Sequence, residues 1–411
     1  MLSYDQALAR ILAAAPTPTE PARSIPANLA THSPWVLAKP LVAEQDLPPF
    51  DNSMVDGFAV RLADTRNAAE DSPISLTIVE TIPAGYWSRR FIETGQAARI
   101  LTGAPVPQGA DAIVMQEDTE TRGEKVLIKT PASSKFIRRK GSDIRQGEVA
   151  IPAGMVIHPG EAALIAALRP ETVSVLWRKP QVAIVTTGDE VLPWRRTDST
   201  PALQPGQIYD ANGPALFRAV EDSGGNPNHP VHVRDDVKET RQALQSILNN
   251  SPDVIIASGG VSVGERDYVR EVVSELGELD FWRVAVKPGK PLAFGKIGST
   301  LFFGLPGNPV SSLVTFELFV RPVLRKLAGY TELTRPQVNA ILTTNLPHEP
   351  GRREFVRAKL HWQDDTYHAT PTGAQGSHRL ASMVGANALL IAHEDHSDYS
   401  AGESLPALLL T

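Results

Sequence analysis

A chain of 411 residues with 42% apolar and 21% charged residues is too long for one ordinary hydrophobic core, so we expect two to four globular domains. The formal net charge of -6 argues against nucleic acid as the main partner, because phosphate backbones select basic surfaces. The absence of cysteine excludes disulfides, thiolate zinc sites and a thiol nucleophile, so any metal must bind oxygen or imidazole ligands.

The chain shows no sign of a membrane-spanning or targeting segment. No window approaches 18 consecutive apolar residues, and the N-terminus lacks the charged-then-apolar layout of a signal peptide. We therefore expect no membrane partner and a cytoplasmic location.

The N-terminal part predicts two short helices that flank a β-rich block. Apolar residues of 1–15 share one helical side, and prolines stop the pattern. Residues 152–170 predict a turn and a short apolar helix. Between them, residues 74–142 predict no helix and four strands, at 74–79, 98–102, 112–115 and 125–129. We interpret the β-rich block as an insertion into a discontinuous first domain.

From Gln181 onward the pattern alternates between strands and helices. This alternation predicts an α/β domain with a mainly parallel, doubly wound sheet, which binds ligands beyond the carboxyl ends of its strands. The predicted strands are 182–186, 230–233, 253–257, 281–286 and 301–304, and the predicted helices are 213–223, 237–249, 268–276 and 310–328.

The last 80 or so residues again predict short strands. A β-barrel or a sandwich would account for them. The predicted strands are 340–344, 354–362, 388–392 and 405–410.

Two acids, Asp189 and Glu190, directly follow the first strand of the α/β domain. Because Mg²⁺ binds one or two carboxylates together with water and phosphate oxygens, this pair is a candidate metal site, with Asp210 as a further nearby acid. The alternative interpretation is a helix-capping acid in the loop.

The segment Ser258-Gly-Gly-Val-Ser-Val-Gly264 follows another buried strand. It is neither a P-loop nor a dinucleotide fingerprint, since the lysine and the glycine spacing that those motifs need are missing. Its glycines, Gly259 and Gly260 among them, nevertheless allow a phosphate or sugar to approach the backbone closely. Asp267 either caps the next helix or faces the ligand.

Two further segments suit an anion. Lys287 and Lys290 flank a Pro-Gly pair, and two lysines held close together repel unless an anion lies between them. Two independent surface lysines are the alternative. Leu305-Pro-Gly-Asn-Pro309 places Pro306 and Asn308 at a helix start, where backbone N–H groups are free. Ordinary capping by Asn308 or Ser311 explains the pattern nearly as well.

Three weaker candidates lie elsewhere in the chain. Asp56 follows an Asn-Ser turn, and Thr102 ends a strand, so each either contacts a ligand or satisfies its own turn. Asp143 ends a basic run that is ordinarily solvated charge. In the C-terminal part, arginines at 352–357 and the segment Gly376-Ser-His378 suit an oxyanion, although exposed arginines are common on barrel edges.

Taken together, these segments resemble the molybdopterin molybdotransferase family, which is related to the gephyrin E domain. The matching segments occur in the family's order: Phe50-Asp-Asn-Ser-Met-Val-Asp-Gly, Arg99-Ile-Leu-Thr-Gly-Ala-Pro-Val-Pro, Thr187-Gly-Asp-Glu, Ser258-Gly-Gly-Val-Ser-Val-Gly, Lys287-Pro-Gly-Lys-Pro, Gly304-Leu-Pro-Gly-Asn-Pro-Val-Ser and Gly376-Ser-His. One such segment is weakly specific, but seven in order are highly specific.

The resemblance implies four domains and an elongated homodimer. Residues 1–50 and 143–177 would form the discontinuous N-terminal domain, 51–142 the inserted β domain, 178–328 the molybdopterin-binding domain and 329–411 a C-terminal β-barrel. The active cleft would lie between the central domain of one subunit and the inserted domain of the other.

The resemblance also implies the reaction. Such enzymes insert molybdate into adenylylated molybdopterin, and Mg²⁺-dependent cleavage of the adenylate releases AMP and gives molybdenum cofactor. Candidate protein partners are an upstream adenylyltransferase and the recipient molybdoenzymes.

Motifs and resemblance together predict three sets of site residues. The predicted catalytic residues are Asp56, Thr102, Glu190, Asp235, Asp267 and Lys287. The predicted substrate-binding residues are Asp143, Gly259, Gly260, Ser262, Lys290, Pro291, Pro306, Asn308, Arg352 and Ser377, and the predicted metal ligands are Asp189, Glu190 and Asp267. Arg352 stands for one arginine between 352 and 357 that would contact molybdate.

Two alternatives remain open from the sequence. A molybdopterin adenylyltransferase resembles the central domain alone, and the additional β domains argue against it. A non-catalytic cofactor-binding scaffold would share the fold, and the retained acids and lysines disfavour it.

Overall fold

The computed structural model of the chain describes residues 1–17, 22–32, 35–176, 179–193, 202–260 and 268–410. Contacts divide the chain into two compact units, a larger one of Met1–Arg23 with Leu176–Thr411 and a smaller one of Ser24–Val175. Ser262 and Asp267, two predicted site residues, lie outside the described ranges. In those ranges no helix has the length and apolar character needed to cross a membrane.

The predicted N-terminal helix is present as α1 (Tyr4–Ala14). A capping box begins it, since the backbone N–H groups of Gln6 and Ser3 each donate to the other residue's side chain. Its buried residues Ala7 and Ile11 join the core of the larger unit. The helix therefore packs with that unit, whereas the sequence assigned residues 1–50 to the N-terminal domain; the four domain boundaries themselves stay predictions.

The smaller unit is built from short strands and three short helices of the described chain. One core draws on residues 25–43 and on 151–175, and the segment between them forms a six-stranded sheet with an apolar cluster on each face. The elements are β1 (Ala22–Pro26), α2 (Ala27–Ala30), β2 (Val36–Leu37), β3 (Leu41–Val42), β4 (Asn52–Ser53), β5 (Gly57–Val60), α3 (Leu62–Thr65), β6 (Ile74–Ile82), β7 (Gln96–Ile100), β8 (Ala112–Met115), β9 (Thr119–Arg122), β10 (Lys125–Ile128), β11 (Ile137–Arg138), β12 (Val149–Ile151), α4 (Pro159–Leu168) and β13 (Thr172–Leu176).

The six-stranded sheet has the order β8-β5-β7-β6-β10-β9. Its four predicted strands are confirmed, and residues 74–142 contain two 3-10 turns, Gln116–Asp118 and Ser134–Phe136, but no α-helix. The sequence did not predict β5, because its Gly57 start continues the turn segment that precedes it. Within the sheet Gly57 is required, since a Cβ there would lie 1.9 Å from the carbonyl oxygen of Val114 on β8.

The central part of the larger unit alternates strands and helices, as predicted. Its elements are β14 (Gln181–Thr187), β15 (Val191–Leu192), β16 (Ile208–Tyr209), α5 (Asn212–Asp222), β17 (Asn226–Pro227), β18 (Val231–Val233), α6 (Val237–Leu248), β19 (Val254–Ser258), α7 (Tyr268–Leu276), β20 (Glu278–Arg283), β21 (Val286–Lys287), β22 (Pro291–Ile297), β23 (Thr300–Leu305), α8 (Pro309–Thr315) and α9 (Arg321–Leu327).

A seven-stranded sheet has the order β17-β14-β19-β23-β22-β20, with β18 also paired to β14. The pairings of β14 with β17, β18 and β19, and of β19 with β23, are parallel, while β22 and β20 add an antiparallel edge. Alternate residues of each central strand enter opposite cores. Val182 and Ile184 pack with α1, α5 and α8, whereas Ala183 and Val185 pack with α6 and α7. The sheet is therefore covered on both faces.

The predicted helix 310–328 is interrupted. A π-helical turn, Phe316–Val320, separates α8 from α9. Pro322 lies two residues after this turn, and proline cannot donate the hydrogen bond that an α-helix would need at that position.

The C-terminal residues form a closed barrel, which decides between the barrel and the sandwich. Five strands close in the order β25-β26-β24-β28-β27-β25. They are β24 (Gln337–Leu342), β25 (Arg353–Gln363), β26 (Thr366–Pro371), β27 (Ala388–Ala392) and β28 (Ser404–Leu409). Strand β21 adds to the barrel by pairing in parallel with β25.

The barrel shares a core with the central sheet. Phe355, Leu389 and Ile391 face outward from the barrel and lie in the same apolar cluster as Ile11 and Phe319. Phe355 is 0% exposed, and its ring lies 5.3 Å from that of Tyr4. This cluster ties the barrel to the α/β part of the unit.

Truncation of Phe355 tests this shared core. We expect Phe355→Ala to lower the free energy of unfolding by about 3–5 kcal/mol, because it removes a buried ring and leaves a cavity. Trp362→Ala on the same strand is the matched control, since Trp362 is 62% exposed and its loss should change stability by less than about 1 kcal/mol. Urea unfolding followed by circular dichroism measures both, and equal midpoints for the two variants would contradict the shared core.

Candidate functional site

A cleft of about 570 Å³ opens at the carboxyl ends of the central strands. Strands β14, β19 and β23 run parallel and in register, with Thr186 opposite Ser258 and Ser258 opposite Leu305. The loops that follow these strands therefore start side by side. The lining residues are Thr186, Thr187, Gly188, Glu190, Val191, Ile208, Tyr209, Asp210, Ala211, Asn212, Asp235, Ser258, Gly259, Gly260, Pro291, Pro306, Gly307, Asn308 and Pro309.

Four carboxylates gather at the β14 side of the cleft. Burial lowers the pKa of His232, and the neighbouring acids oppose this effect, in the order Asp210, Asp235, Glu190 and Asp189. Asp189 also accepts a hydrogen bond at 3.3 Å from the backbone N–H of Asp235. The structure thus brings together the predicted acids Asp189, Glu190 and Asp235.

Three of these acids differ in their exposure and in their hydrogen bonds. Asp210 is 8% exposed and accepts hydrogen bonds from the Thr186 hydroxyl at 3.1 Å and the Gly213 N–H at 2.8 Å, so it is committed to the fold. Asp189 and Glu190 are exposed. Glu190 folds back over Gly188, where an added Cβ would lie 2.8 Å from its carboxylate.

Within the described ranges no three acids or histidines lie close enough together to form a metal cage. The exposed pair Asp189 and Glu190 instead fits an ion that keeps most of its water and takes the remaining ligands from substrate oxygens, as Mg²⁺ does. The residues present therefore fit Mg²⁺, and the predicted ligation stays a prediction.

Gly259 and Gly260 line the cleft where β19 ends. Both have positive φ angles, +94° and +63°. A Cβ on Gly259 would lie 2.6 Å from the Thr187 hydroxyl, so only glycine allows the β14 and β19 loops to approach this closely. Both glycines line the cleft, and contact of their backbone with a ligand stays a prediction.

The third loop connects the cleft to the C-terminal barrel. Asn308 precedes α8, but its side chain does not cap the helix; it donates to the Ser377 hydroxyl at 3.3 Å. Asn212, which the sequence did not single out, donates to the Gly307 carbonyl at 2.7 Å and fixes the loop from the other side. Asn308 and Ser377 are thus brought together, and the capping alternative for Asn308 is wrong.

The two lysines of the Lys287–Pro291 turn point to different surroundings. The ammonium of Lys287 lies 3.1 Å from the carboxylate of Glu354 on barrel strand β25. Lys290 is exposed, and its ammonium has no ion pair with any residue that the structure describes. Pro291, the residue after Lys290, lines the cleft.

The arginines Arg352 and Arg357 also differ in their exposure and contacts. Arg352 is partly exposed and makes no hydrogen bond within the described ranges. Arg357 is 1% exposed and lies beside the 375–377 loop, with its guanidinium donating to Ser382 at 3.1 Å and to the Gly376 carbonyl at 3.4 Å. Burial lowers the pKa of Arg357. Geometry therefore favours Arg357 over Arg352 as the arginine near Ser377.

Three predicted site residues lie in the smaller unit. The N–H and hydroxyl of Thr102 both donate to the Asp56 carboxylate at 2.7 Å, and these two bonds are the main reason that the pKa of Asp56 is lowered. Asp143 pairs with Arg138 at 3.2 Å on an exposed surface. Asp56 and Thr102 thus form one predicted cluster, and Asp143 is not part of it.

Comparisons with known proteins cover nearly the whole chain. The MoeA N-terminal region (domains I and II) matches residues 2–168, a probable molybdopterin binding domain matches 183–326, and the MoeA C-terminal region (domain IV) matches 339–410. The molybdopterin molybdenumtransferase of Haemophilus influenzae is 34% identical over 409 residues, 98% of each chain. That of Nostoc sp. is 38% identical over 384 residues, 91% of this chain and 86% of the relative.

A solved structure agrees with these relatives. The molybdopterin biosynthesis moeA protein from Pyrococcus horikoshii OT3 matches the whole of both chains with a TM-score of 0.84 and 31% identity. The resemblance and the multidomain fold predicted from the sequence are confirmed. This chain belongs to the MoeA family of molybdopterin molybdenumtransferases.

Proposed function

We propose that this chain is a molybdopterin molybdenumtransferase, which inserts molybdate into adenylylated molybdopterin and releases AMP to give molybdenum cofactor. The observation that carries the proposal is one cleft lined by Glu190 after β14, by Gly259 and Gly260 after β19 and by Pro291 at the start of β22. The curated relatives bear the same name. An adenylylated anion needs close approach to backbone N–H groups together with positive charge, which a bound cation and Lys290, the residue before Pro291, would supply.

The acids of the cleft would act through Mg²⁺. Asp189 and Glu190 would hold the ion on the pyrophosphate, and when bound it would neutralise charge that builds as the adenylate is cleaved. Asp235 orients Asp189 through its backbone N–H. The glycine backbone at 259–260 would seat the phosphate groups.

Molybdate would bind on the other side of the cleft. Lys290 supplies an ammonium without a described ion-pair partner, and Ser377 places a hydroxyl beside Asn308. Arg357 lies behind the Ser377 loop with a nearly buried guanidinium. Cationic and hydroxyl donors of this kind suit a tetrahedral oxyanion.

Substitution of Glu190 tests the role of the acids. We expect Glu190→Gln to keep pterin binding and to lower AMP release about a hundredfold or more, because the charge that holds Mg²⁺ is lost. Purified protein is incubated with adenylylated molybdopterin, Mg²⁺ and molybdate while AMP and active cofactor are followed together. Glu271→Gln on the exposed side of α7 is the matched control.

Unchanged turnover of Glu190→Gln at saturating Mg²⁺ would contradict this role. Consumption of ATP by the wild-type protein, in place of AMP release, would identify an adenylyltransferase instead. Binding of the substrate without any turnover would identify a scaffold.

Substitution of Lys290 tests the molybdate side. We expect Lys290→Ala to raise the half-saturating molybdate concentration by about tenfold to a hundredfold, the effect of losing one charged hydrogen-bond donor. The rate at saturating molybdate should change much less. Lys296→Ala, at an exposed lysine on strand β22, which begins directly after Lys290, is the control. Identical molybdate curves for the two variants would count against the assignment.

We further propose a cytoplasmic homodimer in which Asp56 and Thr102 of one subunit serve the cleft of the other. The support is the family itself, together with the two hydrogen bonds that hold Asp56 and Thr102 as one cluster. An adenylyltransferase would supply the substrate, and apo-molybdoenzymes would receive the product.

Mixing two inactive variants tests this sharing of sites. Asp56→Asn and Glu190→Gln, unfolded together and refolded as a mixture, should recover about a quarter of wild-type activity, because half of the random dimers carry one intact site. Each variant refolded alone is the control. A mixture no more active than its components, although sedimentation shows dimers, would refute a site built from two subunits.

A further inference from the structure

We propose that Glu354 is a positioning residue: together with His348 it holds the ammonium of Lys287, and thereby fixes the Lys287–Lys290 turn at the edge of the cleft. The inference rests on the proposed function only for its kinetic readout. No sequence motif singled out either Glu354 or His348.

The carboxylate of Glu354 is buried. Its side chain is 6% exposed, whereas that of Lys287 is 40% exposed. A buried carboxylate is costly unless cations or hydrogen-bond donors compensate it, so the 3.1 Å contact with Lys287 constrains the lysine more than an exposed ion pair would.

His348 holds Glu354 in place, so the Glu354 carboxylate cannot move with Lys287. His348, with a side chain 1% exposed, contacts the same carboxylate oxygen at 3.0 Å through Nδ1. Its Nε2 lies 2.9 Å from the carbonyl oxygen of His393, so both ring nitrogens face a protein oxygen and the ring is fixed in orientation. Its backbone N–H donates to Asp398 at 2.8 Å. His348 is thus held at three points.

Backbone contacts hold the Lys287–Lys290 turn at both ends. Lys287 on β21 pairs in register with Glu354 on β25, and the Arg353 N–H donates to the Ala285 carbonyl at 3.0 Å. At the other end, the Lys290 carbonyl accepts a hydrogen bond from the Val284 N–H at 3.1 Å. Between them, Gly289 has a φ of +109°, and a Cβ there would lie 2.2 Å from the Thr315 side chain.

These contacts give the two lysines different tasks. The charge of Lys287 is neutralised by Glu354, so it repels Lys290 less and anchors the turn to the barrel. Lys290, three residues later, is left facing solvent beside the cleft-lining Pro291. Glu354 therefore acts on the anion through Lys287 and the turn, and not by contact.

A double-mutant cycle in the molybdate saturation assay tests the proposal. Glu354→Gln and Lys287→Met should each raise the half-saturating molybdate concentration by about tenfold, within the range expected for a charged hydrogen bond, with a smaller effect on the saturated rate. Because both substitutions break one contact, the double variant should match Lys287→Met within about twofold. Glu349→Gln, an exposed acid in the same loop as His348, is the control.

A second measurement does not depend on activity. Brief acylation with acetic anhydride, followed by mass spectrometry, should modify Lys287 several-fold more slowly than Lys290 in the wild-type protein. Glu354→Gln should remove most of that difference. Glu354→Asp, which keeps the charge, should retain part of it and serves if the Gln variant melts below the assay temperature.

The outcomes separate the two proposals. Multiplying effects in the double variant, or a wild-type molybdate curve for Glu354→Gln, would overturn the positioning role, as would equal acylation of the two lysines. If the wild-type protein releases no AMP, the proposed function fails, and the acylation comparison alone decides whether Glu354 holds Lys287.

Discussion

The in-register parallel pairing of β14, β19 and β23 is the constraint on which the rest of the cleft depends. Parallel strands present their carboxyl ends on one edge, and each of these three continues into a loop with different chemistry: acids, glycines and an Asn-Pro helix start. The pairing holds because alternate side chains enter two separate apolar cores. Hydrophobic burial on both faces thus fixes the position of polar groups at the end.

The barrel matters to this edge through two kinds of contact. Its outward residues Phe355, Leu389 and Ile391 belong to the core that also covers the central sheet. Its loops supply the Ser377 hydroxyl to Asn308 and the Glu354 carboxylate to Lys287. An apolar contact sets the distance between the two parts, and the polar contacts then fix individual side chains.

Much of this arrangement could be predicted from the sequence where the pattern was regular. The central strands and helices, the β-rich block and the order of the cleft loops follow from buried β-branched runs, helical periodicity and glycine or proline boundaries. Strands β22 and β26 were not predicted, because a proline-led start and a mixed polar composition hide the strand period. Both are defined by their neighbours, β23 and β25, and tertiary pairing is not a local property.

The residues that line the candidate cleft could be predicted to a similar degree. Loops that follow strands identified Glu190, Gly259 and Asn308. The partner of Lys287 could not be found in this way, because Glu354 is distant in sequence and meets the turn only through the pairing of β21 with β25. For the same reason the sequence alone could not choose between Arg352 and Arg357, since only the folded chain shows that Arg357 contacts the loop that carries Ser377.

The π turn at Phe316–Val320 has a consequence for how this segment tolerates changes in length. It holds one residue more than an α-helical turn, so every later side chain is rotated by about 100° from where a continuous α-helix would place it. Val323 and Leu324, both 0% exposed, face the core only with that offset. Deleting a single residue here would restore regular helical hydrogen bonding and yet turn those side chains away, so the irregular backbone is what keeps the α9 register compatible with the fold.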